Sequence, residues 1–209
     1  MKPDTPPDFY TGSPMDPDDL WFRADFIKEL WSILEKQHVI LVSPRRTGKT
    51  SVMDSLVENP EREFSPVSVF VQDLDHPGDF ILTLLDAFYD RHPSLFHSLF
   101  NQSTQLVGKV LDQIKEVGVS GFKIALRETD SEWEKNWKKH GDDFFQRVRE
   151  HGSRVLFVVD EFPDFIINMK KYHPELVSTF LSWFRGHRLK PHPKQDQVRW
   201  LLGGSVNLS

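Results

Sequence analysis

The sequence predicts a three-layer α/β fold built on a mostly parallel sheet. Three observations lead there. Apolar runs of strand type alternate with segments of helical periodicity along most of the chain. One run, Val155-Leu-Phe-Val-Val159, is continuously apolar, as expected of a strand buried on both faces of a parallel sheet. Another, His38-Val-Ile-Leu-Val42, passes through Ser43-Pro-Arg-Arg-Thr-Gly-Lys-Thr50 into Ser51–Val57, which can continue as a helix. Strand, tight loop and helix form one winding unit of such a fold.

The elements follow in order. Residues 1–19 are rich in Pro and Asp and poor in aliphatic residues, so they read as a flexible N-terminal segment. The core is expected over 20–209, with a helical and hairpin insertion at about 93–150. A helix is predicted from about Ala24 to Lys36, with Phe26, Ile27, Leu30, Ile33 and Leu34 as its apolar stripe. Strand one is His38–Val42, and the helix after the loop should stop near Pro60. Strand two is Val67–Val71. Asp79 is expected to cap a helix over Phe80–Tyr89. Pro93–Glu116 reads as a further helix with a possible break near Ser103, and Val117–Leu126 as an irregular strand or hairpin. A helical region spans roughly Ser131–Glu150, interrupted near Gly141. Strand three is Arg154–Asp160. Pro174 opens a helix to about Arg188, and a Pro/His/Lys loop covers Leu189–Gln197. Strand four is Val198–Leu202, ending in Gly203-Gly204-Ser205.

Composition narrows the function classes. The 209 residues are 38% hydrophobic and 12% aromatic, enough for one domain with a sizeable core. A net charge of −5 argues against non-specific gripping of nucleic acid. There is no cysteine, which excludes disulfides and Cys-ligated zinc. No apolar run approaches the ~20 residues of a membrane span, and the N-terminus lacks a signal-peptide core. These features fit a soluble, cytoplasmic chain.

Two motifs carry chemistry. Ser43–Thr50 has the form of a phosphate-binding loop, with Ser43 where the usual pattern opens on Gly. Its backbone N–H groups and the following helix N-terminus would face phosphate. Ser43, Pro44, Arg45, Arg46, Thr47, Gly48, Lys49, Thr50 and Ser51 are the candidate nucleotide-binding residues. Lys49 would reach the β- and γ-phosphates and the Thr50 hydroxyl would ligate Mg²⁺. The second motif is Val155–Glu161, an apolar strand ending Asp-Glu. It would deliver Asp160 beside the loop to hold Mg²⁺, with Glu161 one residue on as general base for water. Alone, it is as well explained by a buried strand ending in acids. The order of the pair is what points to nucleotide chemistry.

Pro44-Arg-Arg-Thr-Gly-Lys-Thr-Ser51, Val158-Val-Asp-Glu-Phe162 and Leu202-Gly-Gly-Ser205 together resemble the prokaryotic AAA-like P-loop ATPases of the archaeal ATPase and STAND type. The resemblance runs from about Leu20 to the C-terminus. It implies an ASCE-type P-loop NTPase fold, ATP and Mg²⁺ as ligands, and a polar sensor at the end of strand four. Ser205 matches that sensor best and Asn207 is the second choice. A Gly-Arg-Glu element that helps hold the base corresponds to Phe22-Arg23-Ala24, where only Arg23 matches. The group's strand order, 5-1-4-3-2, would leave strand one at an open edge, because the fifth strand and helical lid are not found in this chain. That implies a fragment, or completion by a protein partner or by self-association through the missing C-terminal region.

Other residues carry plainer alternatives. Arg45 and Arg46 could touch phosphate or a neighbouring subunit, or simply sit exposed. Arg185 and Arg188 could act as an arginine finger in trans, although basic residues there more often complement the helix dipole. Asp73 is expected to form a turn, and Trp133 and Trp137, four apart, to pack in the core. No close histidine pair on a helix suggests a further metal site.

The sequence therefore predicts an Mg·ATP-binding switch that hydrolyses ATP slowly. Lys49, Glu161 and Ser205 are its catalytic candidates, Thr50 and Asp160 the metal ligands, and Arg23 a nucleotide-side contact. The alternatives are a non-catalytic nucleotide-binding or interaction module with a degenerate loop, and a small-molecule phosphotransferase. The absence of an Asn-Lys-x-Asp motif favours adenine over guanine.

Overall fold

A computed structural model describes residues 23–100, 133–188 and 198–206. Four parallel strands form one sheet in the order β1-β4-β3-β2: β1 Val39–Pro44, β2 Ser65–Phe70, β3 Val155–Asp160 and β4 Val198–Val206. The described helices are α1 Ala24–Leu34, α2 Lys49–Glu58, α3 Pro77–Arg91, α4 Pro93–Phe100, α5 Trp133–His151, α6 Phe162–Tyr172 and α7 Pro174–Arg188.

Alternation along β3 splits the core in two. Leu156 and Val158 face a cluster built by Leu30, Trp31 and Leu34 of α1 and Val52, Met53 and Leu56 of α2. Val155, Phe157 and Val159 face a larger cluster fed by α3 to α7. Helices thus cover both faces, and β3 is buried at every position, as its unbroken apolar run predicts. The larger cluster is strongly aromatic. Phe157 stacks on Trp200 at 4.9 Å, and Phe180 stacks on Phe184 at 5.7 Å. Trp133 and Trp137 are buried in it, and the Trp133 indole N–H donates to the Gly78 carbonyl at 3.0 Å.

β1 lies at one edge of the described sheet, where Ile40 and Val42 are 63% and 52% exposed. At the opposite end of the strands from the Ser43–Thr50 loop, His38 ties three elements together. Its Nε2 donates to the Arg188 carbonyl at 2.7 Å, and its Nδ1 accepts from the Trp200 N–H at 3.2 Å. Arg199, buried beneath α1, donates to the Leu34 and Glu35 carbonyls at 2.9 and 3.1 Å, which satisfies the helix C-terminus.

Two local expectations need correction, and one interval gains an element. The cap of α3 is His76, whose Nδ1 accepts from the Gly78 N–H at 3.0 Å; Asp79 sits in the first turn. α5 runs unbroken through Gly141, because the glycine makes room for the Trp183 ring: a Cβ there would lie 2.4 Å from that ring. A helix, α6, fills the interval between β3 and Pro174 that the sequence left unassigned. Pro163 lies in its first turn, where a missing N–H does no harm. The expected hairpin at Val117–Leu126, the continuation of the Pro93 helix past Phe100 and the Leu189–Gln197 loop lie outside the described residues. Among the described residues no helix is long and apolar enough to cross a membrane.

Candidate functional site

The site is built at the C-terminal edge of the sheet, where β1, β3 and β4 end side by side. β1 leads into Arg45–Gly48, and α2 starts at Lys49. Gly48 is left-handed (φ 78°), as is Arg46 (φ 64°), so the backbone folds back on itself before the helix starts. No side chain caps α2, so its first N–H groups present the positive end of the helix dipole to the loop.

Side chains close the loop. Thr47 Oγ1 lies 2.8 Å from both the Ser43 Oγ and the Pro44 carbonyl. Ser43, the departure from the usual opening Gly, thus has a structural partner that Gly would lack. Arg23, just ahead of α1, donates to the Thr47 carbonyl at 2.6 Å. Its guanidinium also lies under Gly48, 3.8 Å from the position a Cβ would take. In this structure Arg23 holds the loop's backbone. Pro44, Arg45 and Arg46 are exposed at its rim, and Ser51 is buried beneath it.

Lys49 is buried and forms an ion pair with Asp160 at the end of β3. A second carboxylate, Glu161 Oε1, is 3.6 Å from its Nζ. The Thr50 hydroxyl donates to the other Asp160 oxygen at 2.8 Å. Burial pushes the Lys49 amine below the usual lysine range, and the Glu161 and Asp164 carboxylates oppose that shift. By contact geometry Asp160 is the nearer partner.

Glu161 sits in the left-handed region at φ 55°, a conformation a non-glycine residue adopts at a strain of order 1–3 kcal/mol. The turn it makes carries the chain directly from β3 into α6. Its N–H donates to Asp160 Oδ1 at 2.9 Å. Its carboxylate is held from β4: the Ser205 N–H donates to Oε2 at 3.2 Å and the Ser205 hydroxyl to Oε1 at 2.8 Å.

Two glycines of β4 make this closeness feasible. A Cβ on Gly203 would lie 2.7 Å from Asp160 Oδ1 and 2.8 Å from Met53 Sδ. A Cβ on Gly204 would lie 2.6 Å from Pro163 Cγ. The sequence predicts that strand four ends in these glycines, whereas β4 continues through them to Val206. Consecutive glycines inside a strand, which signal close approach, were the available clue.

The structure therefore brings Lys49, Thr50, Asp160, Glu161 and Ser205 together, with Ser43, Thr47 and Arg23 behind them. It places Arg188 elsewhere: its carbonyl is bonded to His38, ahead of β1, at the far end of the strands. Arg185 is exposed on α7. Asp73 lies in the turn closed by the Leu74 N–H on the Val71 carbonyl at 3.1 Å. Asn207 and Phe22 lie outside the described residues.

The donor set fits Mg²⁺. A hydroxyl and a carboxylate, both hard oxygen ligands, already share one hydrogen bond, and Mg²⁺ usually takes one or two carboxylates plus phosphate oxygens. Among the described residues no group of three or more His, Asp or Glu side chains is placed to hold an ion by itself. No protein-family model matches the chain, and a search of curated proteins returned no match.

Proposed function

We propose that this chain is a P-loop NTPase of the AAA-like kind that binds Mg·ATP and hydrolyses it slowly as a nucleotide-dependent switch. The observation that carries the reading is the meeting of both motifs: Lys49 and Thr50, from the start of α2, converge on Asp160, from the end of β3. Residues 111 positions apart contribute to one buried polar cluster beside an uncapped helix N-terminus.

The roles follow from the chemistry of each group. The loop N–H groups and the α2 terminus bind phosphate oxygens. Lys49 adds a charge-assisted hydrogen bond to the β- and γ-phosphates. Thr50 and Asp160 would hold Mg²⁺, which would supply neutralisation of charge on the phosphate oxygens. Glu161, one residue past the metal ligand, accepts a proton from the attacking water. Ser205 holds the Glu161 carboxylate from β4 and so sets where that base points.

A second reading, a non-catalytic nucleotide-binding module, draws on a specific observation. Both Glu161 oxygens are engaged by Ser205, so the base is occupied unless that contact opens. Single-turnover hydrolysis separates the two: the switch releases phosphate from bound ATP, and the module binds ATP and returns it intact. The nucleotide reading as a whole is tested by titrating Mg·ATP into the chain and into Lys49→Ala. Removing one charge-assisted phosphate contact should weaken binding by roughly 1.5–3 kcal/mol.

A further inference from the structure

The charged and polar groups of the site pair with one another. Lys49 and Asp160, with side chains 6% and 9% exposed, neutralise each other. Thr50 takes the remaining Asp160 oxygen at 2.8 Å, and the Glu161 N–H donates to Asp160 Oδ1 at 2.9 Å. The group expected to grip phosphate and the groups expected to grip the metal are therefore each other's partners. A phosphate cannot recruit Lys49 without stripping a buried carboxylate of its counter-charge, which is strongly unfavourable. A divalent cation cannot reach Asp160 and Thr50 without displacing the ammonium.

The geometry points to a charge exchange: Mg²⁺ and the nucleotide enter together, Mg²⁺ replacing the Lys49 ammonium on Asp160 while Lys49 moves to the phosphates. Asp160 is then an inhibitor of metal-free nucleotide binding as well as a metal ligand. The inference rests on the nucleotide reading proposed above and adds its regulation: the site discriminates against nucleotide without a divalent cation. No covalent bond is made or broken in the step, and the two positive charges of the metal more than replace the one that Lys49 withdraws from Asp160.

The consequence runs against the usual expectation for removing a metal-binding carboxylate. In EDTA, Asp160→Asn should bind ADP at least ten times more tightly than the parent chain, because Lys49 loses its nearest counter-charge and keeps only the longer contact with Glu161. Loss of a nearby negative charge would by itself favour a polyanion, so Asp164→Asn is the through-space control. Asp164 acts electrostatically on Lys49 without a hydrogen bond to it. That variant should gain less than threefold. Calorimetric titration of ADP, first with Mg²⁺ and then in EDTA, reads all three chains, with circular dichroism melts to verify folding.

A parent chain that binds Mg·ADP alongside an Asp160→Asn that gains nothing in EDTA, or gains no more than Asp164→Asn, overturns the exchange and leaves the nucleotide reading standing. A parent that takes up no nucleotide even with Mg²⁺ overturns both. Should Asp160→Asn not fold, the reciprocal variant decides. Lys49→Met rids Asp160 of the ammonium, and should bind Mn²⁺ without nucleotide at least tenfold more tightly than the parent by electron paramagnetic resonance. Equal behaviour of those two chains, including no binding by either, overturns the exchange.

Discussion

Gly203→Ala probes the site through its floor without replacing any proposed ligand. The added methyl would lie 2.7 Å from Asp160 Oδ1, 2.8 Å from Met53 Sδ and 2.9 Å from Met53 Cε. Ordinary contact begins near 3.4 Å, so something must shift by more than half an ångström. Met53 is buried, yet its thioether is flexible and can give way. Asp160 cannot move alone, because Lys49, Thr50 and the Glu161 N–H all hold it. Overpacking of this kind destabilises by about 1–3 kcal/mol. Loss of one hydrogen bond to a charged group adds a penalty of about 1.5–3 kcal/mol wherever Asp160 is needed in place. The variant should therefore unfold earlier in urea, with its midpoint lowered at unchanged slope, and should bind Mg·ATP about tenfold or more weakly. Unchanged stability and unchanged Mg·ATP affinity together would refute the close packing of β4 on Asp160.

Three further outcomes follow from other parts of the structure. Glu161→Gln keeps an acceptor for Ser205 but removes the base; it should retain Mg·ATP within about threefold and slow single-turnover hydrolysis by about 10²–10⁴. Gly141→Ala would drive a methyl into the Trp183 ring, 2.4 Å away, and should destabilise by about 1–3 kcal/mol in urea while leaving nucleotide binding by the folded fraction intact. His76 and His92 are both held neutral by burial, with pKa values below 6.5; His76 Nδ1 accepts from Gly78, and His92 Nε2 donates to the Pro66 carbonyl at 2.9 Å. The unfolded chain takes up protons near pH 6.5 before the folded chain does. Stability is therefore full above that pH and declines below it, by up to about 1.4 kcal/mol per pH unit for each histidine. Thermal melts from pH 7.5 to 5.5 read the decline, and His76→Asn, which keeps a capping acceptor, should flatten it; an unaltered slope in that variant would exclude His76 as a source.

Much of the architecture was legible because it depends on burial periodicity. The β3 run had no polar residue before Asp160, and a strand covered on both faces is the simplest reason. The loop was legible because Gly48 and Lys49 stand at a strand-to-helix junction. What escaped the sequence depends on contacts between distant residues. Gly141 reads locally as a helix breaker, and only the ring of Trp183 on α7 explains why a helix tolerates it. His76 is not among the usual capping residues, yet its Nδ1 serves as one. α6 was hidden because Pro163 reads as punctuation, and the left-handed turn at Glu161 that starts the helix leaves no local signature. Arg23 matched a base-contacting pattern; its hydrogen bond to the Thr47 carbonyl, 24 positions away, had no local signal. The grip of Ser205 on Glu161 was likewise unreadable, since it links residues 44 positions apart.

Nucleotide binding at Lys49 is decided by calorimetric titration of Mg·ATP into the parent chain beside Lys49→Ala. Saturable binding by the parent is expected, with affinity lowered about 10- to 150-fold in the variant, the equivalent of one charge-assisted phosphate contact. Equal affinity in the two folded chains, or no binding by the parent, would contradict it: Lys49 and Asp160 would then be a structural ion pair at the end of a sheet.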